Sequence, residues 1–482
     1  MAADQKERVD ALLKSANNAA KIIAHHSKSS NFISAASHLD ADGIAAAGII
    51  GKLLARLGAN FRLRIAKQID DRLIVELAKE EAALYVFTDF GSGYLDLMQK
   101  QIPESDIVII DHHQPVGAAS PRLTHVNPHL QGFDGAIEIS GAGVAYLVAK
   151  SVSETNIDLA YLGIVGALGD MQDRNKKREL HGLNKMILDD AATSGYLQIE
   201  TDLIFYGRET RPIHKALSRT TNPFIPGLSG EEDRCLGFLV NLGINLKHND
   251  RWRTLTDLTK DEKQKLFSEI VVYLVSKGIS TETAMSLVGS VYVLTHEDKW
   301  TPLRDAREYA SLLNACGRMD KGGLGVSICM GDRGKALEEA QGVLEEYRKT
   351  LAQYMNWLVE TPSRIEETES CYIIHGEGVF DEKMLGAVSS IITGTGLFKP
   401  DKPIVALAIT RESLIKVSAR GTDLLVNRGL NLGLVMQKAA EEVSGSGGGH
   451  NIAAGAQIPK EREADFMKRI SSLIKETVGG ES

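Results

Sequence analysis

Four short segments place acids and histidines directly after apolar runs: SHLDADG (37–43), VFTDF (86–90), IIDHHQP (109–115) and GALGDMQD (166–173). Carboxylates and neutral imidazoles together suit Mn²⁺ or a similar divalent ion. In SHLDADG, His38, Asp40 and Asp42 are spaced by two, so a short extended segment would turn all three to one side. The plainer alternative makes Asp42 the N-cap of the following helix, a task for which one carboxylate is enough. Asp89 precedes Gly-Ser-Gly, and taken alone its residue type is met more often in Asx-turn chemistry than in metal binding. Asp111, His112 and His113 end a compact apolar strand, where an unpaired acid or imidazole is costly. Adjacent side chains diverge at a strand end. One histidine is therefore expected on a metal and the other on substrate, with the acid holding an imidazole in its tautomer. Asp170 and Asp173 follow the next apolar element. By contrast His25-His26, in an N-terminal helix beside no acid, reads as a surface pair.

His38, Asp40, Asp42, Asp89, His112, His113 and Asp170 together form the inventory of a two-ion centre. Two divalent ions about 3.5–4 Å apart need several carboxylates, one of them bridging, plus imidazoles, and such a pair activates water for phosphoryl displacement. The elements between the segments say how they are brought together. NFISAAS, FRLRIA, ALYVF and DIVII read as strands, and GIAAAGIIGKLLARLG, GAGVAYLVAKSV and IDLAYLGIVGALG as helices. Alternation of this kind implies βαβ units and a mostly parallel sheet, whose ligands sit beyond the carboxyl ends of the strands.

The chain has 482 residues, 43% of them hydrophobic, enough for several cores. Its divisions are read as 1–185, a parallel-sheet domain; 186–300, a mainly helical insertion containing RETRP; 301–362, a connector; and 363–482, a smaller α/β domain. Within the connector, Leu337, Ala340, Leu344, Tyr347, Leu351, Tyr354 and Leu358 keep a 3-4 spacing, the seam of one long helix that Thr361-Pro362 ends. That helix either packs on one domain or links two lobes. The net charge of −8 excludes a chain coated in basic residues but not a local basic surface. Cys235, Cys316, Cys329 and Cys371 form no C-x-x-C pair, which argues against a zinc ribbon or disulfide framework and for a reducing compartment. The longest strongly apolar run, Leu159 to Gly169, is far short of a membrane span. A cytoplasmic protein without a membrane partner is expected.

In the last domain, Arg420 closes LIKVSAR and SGSGGGH (444–450) ends in His450. The glycines, Gly447 to Gly449 among them, let backbone N–H groups approach a phosphate, and Arg420 offers a two-pronged donor. Residues 398–430 carry six Lys/Arg against three acids, a local balance of +3. Contacts of this kind suit a polyanion and tolerate any base sequence. Aromatic residues are 6% of the chain, and none stands out as a base-stacking platform.

The four segments, in this order, resemble the motifs of the DHH phosphoesterase family, and KVSARGT with GSGGGHNIAAGA resembles its associated DHHA1 domain. LLNACGRMDKGGLG (312–325) and RETRP are similar to the archaeal RecJ-like, GINS-associated nucleases. The resemblance implies that His38, Asp40 and Asp89 hold one Mn²⁺, while Asp42, Asp89, His112 and Asp170 hold a second. Mn²⁺ is preferred and Mg²⁺ also fits. It further implies that His113 contacts the scissile phosphate, Asp111 orients a histidine, and Ser418, Arg420, Gly447, Gly448, Gly449 and His450 bind substrate. Water is then the nucleophile, and no covalent enzyme intermediate forms. One departure stands out: bacterial RecJ has aspartate where this chain has His38. The implied activity is exonucleolytic hydrolysis of single-stranded DNA or RNA in replication or repair, with GINS and the replicative helicase as partners. Two other readings stay open, a phosphodiesterase of short oligonucleotides or cyclic dinucleotides and a replication-fork scaffold.

Overall fold

The computed structural model describes residues 3–220, 223, 225–394 and 398–478. They fall into two compact units, Met1–Arg219 with Gly230–Leu344, and Thr220–Ser229 with Glu345–Ser482. The α/β class read from the sequence is what the chain adopts.

The first unit is built on five parallel strands: β1 (Phe32–His38), β2 (Asn60–Ala66), β3 (Leu84–Thr88), β4 (Asp106–Ile110) and β5 (Leu123–Val126), in the order β2-β1-β3-β4-β5. LYVFT is buried throughout and DIVII nearly so, as strands covered on both faces must be. After α1 (Ala3–Lys28) and α2 (Ala41–Arg56), helices α3 (Asp71–Ala78) and α4 (Leu95–Gln101) cover Tyr85, Phe87, Ile107 and Ile109. The alternate residues of β3 and β4 face the other way, toward α2 and α5 (Gly141–Val152). Then α6 (Ala160–Gly169) packs on α2 and α5.

Register places the functional segments. Ser37 of β1 pairs with Thr88 of β3, and Thr88 with Ile110 of β4. The three strands thus end level, and His38, Asp89 and Asp111 emerge together at the carboxyl edge. The order reverses between β1 and β3, which makes that edge a topological switch point.

Beyond α7 (Asn184–Thr193), strand β6 (Leu197–Leu203) pairs antiparallel with β9 (Val288–Leu294). Between them lie α8 (Ile213–Ser218), α9 (Glu232–Asn241), the small hairpin β7 (Lys247–His248) and β8 (Arg251–Trp252), α10 (Lys260–Ser276) and α11 (Thr281–Met285). In RETRP, Arg208 is 2% exposed and its guanidinium sits 2.5 Å from Asp202 at the end of β6. Helices α12 (Ala306–Arg318) and α13 (Gly322–Met330) return to pack on α2. The long helix expected from the 3-4 seam is α14 (Lys335–Glu360), which runs from the first unit into the second.

The second unit is a six-stranded mixed sheet in the order β10-β11-β12-β13-β15-β14. Its strands are β10 (Ile365–Glu367), β11 (Tyr372–His375), β12 (Ile404–Ile409), β13 (Leu414–Arg420), β14 (Ser446–Gly449) and β15 (Ala453–Pro459). Helix α15 (Leu385–Gly394) and the C-terminal half of α14 pack on one core; the short α16 (Asp423–Asn427), α17 (Leu432–Glu442) and α18 (Glu463–Val478) enclose another.

One sequence expectation needs correction. His25 is exposed, but His26 is buried, with its Nε2 2.9 Å from Asp106 Oδ2 and its Nδ1 3.0 Å from Asn31 Nδ2. It continues the buried stripe Leu12, Ala16, Ala19 and Ile23 by one turn, so helical period rather than residue type decided its side. SGSGGGH is ordered and is mostly the edge strand β14. A Cβ on Gly447 would lie 2.4 Å from the Met436 carbonyl oxygen, so close approach of α17 accounts for that glycine.

Among the described residues, no helix is long and apolar enough to cross a membrane. All four cysteines are buried, and none forms a disulfide.

Candidate metal centre

Asp40, not Asp42, caps α2: its carboxylate accepts from the Gly43 N–H at 3.0 Å. Extended chain therefore stops at His38, and the three alternating residues do not converge. His38 and Asp40 stay together, with Nδ1 to Oδ2 3.0 Å. Asp42 lies in the first helical turn and points toward α5, accepting from the Gly141 and Ala142 N–H groups at 2.6 and 2.9 Å. The N-terminus of α5 thus fixes this carboxylate.

Asp89 leaves β3 with φ +59°, a left-handed conformation uncommon outside glycine and held here by its N–H bond to Ile110. It is 1% exposed, and neither carboxylate oxygen makes a hydrogen bond among the described residues, so Asx-turn chemistry does not explain it. Oδ2 lies 3.5 Å from His38 Nδ1, and Oδ1 lies 3.2 Å from His112 Nε2. His112 Nε2 is also 3.3 Å from Asp170 and 3.7 Å from Asp42. Two triads result, His38–Asp40–Asp89 and Asp42–His112–Asp170, each with its ligand atoms within 4.8 Å of one another. Asp89 belongs to the first through Oδ2 and turns its other oxygen, Oδ1, toward His112 of the second.

The tautomer of His112 follows from its other nitrogen. Nδ1 is 2.7 Å from the Gly135 carbonyl, which can only accept, so Nδ1 carries the proton and Nε2 offers a lone pair when the ring is neutral. Gln172 donates to the same carbonyl at 2.9 Å and is held in turn by Asn184 at 2.7 Å. Asp111 draws four donors. It accepts from the Ser92, His112 and His113 N–H groups at 2.9, 2.8 and 3.2 Å, and from His113 Nδ1 at 2.8 Å. Burial opposes its charge, but His113 and these donors hold it well below the usual carboxylate range.

Charge in the cluster is unbalanced. Burial, reinforced by Asp89 and Asp170, raises Asp42. Burial, with Asp40 and Asp89 nearby and His112 opposing, pushes Asp170 up to about 7. Burial alone would lower His112, yet the nearby carboxylates of Asp89 and Asp170 raise it. A site with buried oxygens lacking donors, a buried imidazole nitrogen lacking a partner, and protons drawn in to relieve repulsion is deficient in positive charge. The donor set fits divalent cations.

Asp173 does not join the site; it pairs with Arg307 of α12. The structure gives roles to two residues of LLNACGRMDKGGLG that the sequence reading does not single out. Asn314 of α12 accepts from the Ala41 N–H at 3.1 Å, and a Cβ on Gly317 would lie 1.6 Å from the Leu39 carbonyl oxygen, so α12 rests on the loop bearing Asp40.

In the second unit, Arg420 pairs in register with Ala453, and Gly449 with Ala454. Arg420, Gly449 and His450 therefore share one end of the sheet. Arg420 donates to Ser390 Oγ at 2.8 Å. Gly447 and Gly448 run away from that end along β14. Ser418 is buried, its hydroxyl 2.8 Å from that of Ser389 on α15.

Comparison with known proteins agrees with this layout. Family models match at residues 32–165 (DHH family, N-terminal domain), 205–288 (DHH-CID domain) and 372–476 (DHHA1 domain). An uncharacterized protein of Methanocaldococcus jannaschii is 32% identical over 95% of both chains. RecJ of Thermus thermophilus in complex with Mn²⁺ superposes with a TM-score of 0.58 at 18% identity, over 96% of this chain but 55% of that one. This chain thus spans just over half of that RecJ. Cdc45 of Entamoeba histolytica superposes with a TM-score of 0.64 at 12% identity, over 96% and 99% of the two chains. With the level strand ends and the paired acid–histidine triads, these matches establish that the chain belongs to the DHH/DHHA1 family.

Proposed function

We propose that this chain is a phosphodiesterase that works as a metal-dependent exonuclease on single-stranded DNA or RNA. The observation that carries the reading is Asp89, a buried carboxylate with one oxygen in the first acid–histidine triad and the other facing His112 of the second. His38, Asp40 and Asp89 would hold one divalent ion and Asp42, Asp89, His112 and Asp170 the other, Mn²⁺ in preference to Mg²⁺. Such ions, when bound, supply Lewis-acid stabilisation of phosphoryl oxygens and a water nucleophile usable at neutral pH. The protein positions everything else. Gly135 fixes the tautomer of His112. Asp111 fixes His113, whose ring is 43% exposed and stands beside the cluster, where it can donate to the scissile phosphate. In the second unit, Arg420, Gly449 and His450 offer donors to the backbone of the strand, with Ser418 supporting them from within the sheet. The likeness in fold to RecJ, an exonuclease by the name of its manganese-bound structure, is consistent with this reading.

Digestion of matched, end-labelled DNA and RNA single strands with Mn²⁺ tests the proposal. Cleavage by the wild type, and none by Asp89→Ala or His112→Ala, is expected; equal cleavage by all three refutes it. A dinucleotide run beside a long oligonucleotide separates a strand-degrading enzyme from one that clears short products. Association with replication-fork proteins such as GINS and the helicase is compatible with catalysis, and both triads are intact, which a purely structural role does not require.

A further inference from the structure

The first unit holds a cavity of about 340 Å³ away from the metal centre. Its walls include Lys52, Tyr161, Tyr196, His296, Glu297 and Arg333. Lys52 lies near the C-terminus of α2, whose N-terminal turn holds Asp42; Tyr161 lies at the N-terminus of α6, which ends against Asp170. At 1.5 Å per residue, each helix separates cavity from metal centre by roughly 15 Å.

Two features give the cavity a chemical preference. The first is a ladder of rings. Tyr161 and Tyr196 lie nearly parallel, 7° apart with centroids 6.2 Å apart, and Tyr196 and His296 lie 18° apart with centroids at 4.0 Å. A planar heterocycle is the shape that extends such a ladder. The second is an uncommitted cation. Arg333 is tied to Glu297 by a two-pronged ion pair at 2.8 and 2.5 Å, and Arg56 to Asp158 at 2.7 and 2.5 Å. Lys52 sits among these pairs and makes no hydrogen bond or ion pair of its own among the described residues. Burial, with Arg56 and Arg333 nearby, lowers its pKa despite Asp158, so its ammonium lacks a full counter-charge. An anion entering the cavity would supply it.

We propose that this cavity binds a nucleoside monophosphate, its base on the Tyr161–Tyr196–His296 ladder and its phosphate on Lys52. The volume suits a ligand of that size. The acids are already paired within the protein, apart from Asp298 at the rim, where the carboxylate can accept from an exocyclic amine. The inference stands on cavity chemistry alone, although a mononucleotide is also what an exonuclease releases.

Equilibrium titration of the full chain with AMP, in chelator, tests it. Saturable binding is expected, equal in the wild type and in Asp89→Ala. Lys52→Met should weaken it about tenfold, and adenosine should bind the wild type as weakly as AMP binds that variant. His296→Ala should also cost about tenfold. His296 is exposed, so this variant decides the matter even if Lys52→Met fails to fold. Absence of saturable binding overturns the proposal, as does binding that Asp89→Ala abolishes while Lys52→Met and His296→Ala leave it unchanged. Because chelator silences the metal centre, this failure is distinguishable from a failure to cleave strands.

Discussion

Asp111 and His113 form a closed unit: Oδ1 of the buried acid accepts from both the backbone N–H and the Nδ1 of the histidine two residues on, at 3.2 and 2.8 Å. Adjacent His112 instead donates its Nδ1 proton to Gly135, so neighbouring imidazoles are held by different partners and face different tasks. Three donors converge on Oδ1 and Ser92 N–H on Oδ2, so under the proposed function Asp111 positions His113 rather than holding an ion. Asp111→Asn should leave Mn²⁺ affinity within a few-fold of the wild type while lowering kcat by about 10- to 100-fold, the range for partners that orient a functional group. Calorimetric Mn²⁺ titration beside strand-cleavage kinetics checks the split. Equal loss of both would make Asp111 part of the ion site itself.

The imbalance of charge around Asp89 predicts opposite effects of one substitution with and without metal. In chelator, Asp170→Asn removes a partly buried like charge and should hold or raise the melting temperature. With Mn²⁺ the order should invert, because a ligand at about 100 times its Kd stabilises the folded state by about 2.7 kcal/mol and the variant has lost a donor. Melting curves of both proteins with chelator and with Mn²⁺ decide this. A variant that gains as much from Mn²⁺ as the wild type removes Asp170 from the donor set.

How much of this was legible in the sequence depended on range. The parallel strands, the helices between them and the long α14 follow from local period and composition, and each appears close to its expected place. The seven acids and histidines were also legible, because each directly follows an apolar run. Their grouping was not. His38 and Asp42 are spaced as if on one strand face, yet a cap at Asp40 ends the strand between them. Register between β1, β3 and β4 then decides which residues meet. Gly135 lies in no marked segment, and Gln172, Asn314 and Gly317, though inside marked segments, do not disclose their partners, since these roles rest on contacts made across the fold. His26 misled for a related reason: its burial comes from the stripe of α1, not from a neighbouring acid, and its partner Asp106 is 80 residues away.

Close packing beneath the site gives a steric prediction. A Cβ on Gly166 would lie 2.2 Å from Asp42 Oδ1 and 2.5 Å from Ala142 Cβ. Asp42 cannot yield without leaving the Gly141 and Ala142 N–H groups. Gly166→Ala should therefore cost about 1–3 kcal/mol of stability as an overpacked core does, and weaken Mn²⁺ binding as well. Gly342→Ala, at a helical glycine with nothing within 4 Å of its added methyl, should instead stabilise by about 0.5–1 kcal/mol. Thermal unfolding of the two variants beside the wild type checks both signs.

Glu308 of α12 predicts a pH dependence remote from the metal centre. It is 2% exposed, accepts from Thr210 Oγ1 at 2.8 Å, and is pushed up to about 8 by burial together with the charge of Asp305. Its ordinary value is 4.5, so between these values the folded chain holds a proton that the unfolded chain has released. Stability from this group is fully present below about pH 4.5 and is lost as the pH rises through about 8. Glu308→Gln, which stays neutral and keeps an acceptor for Thr210, removes that dependence. Between about pH 5 and 8.5 the wild type should lose a few kcal/mol more than the variant, at about 1.4 kcal/mol per unit of pKa difference. Melting temperatures measured across that range in chelator check it: a steeper decline for the wild type is expected, and parallel curves would place the proton elsewhere in the Glu209–Asp305–Glu308 cluster.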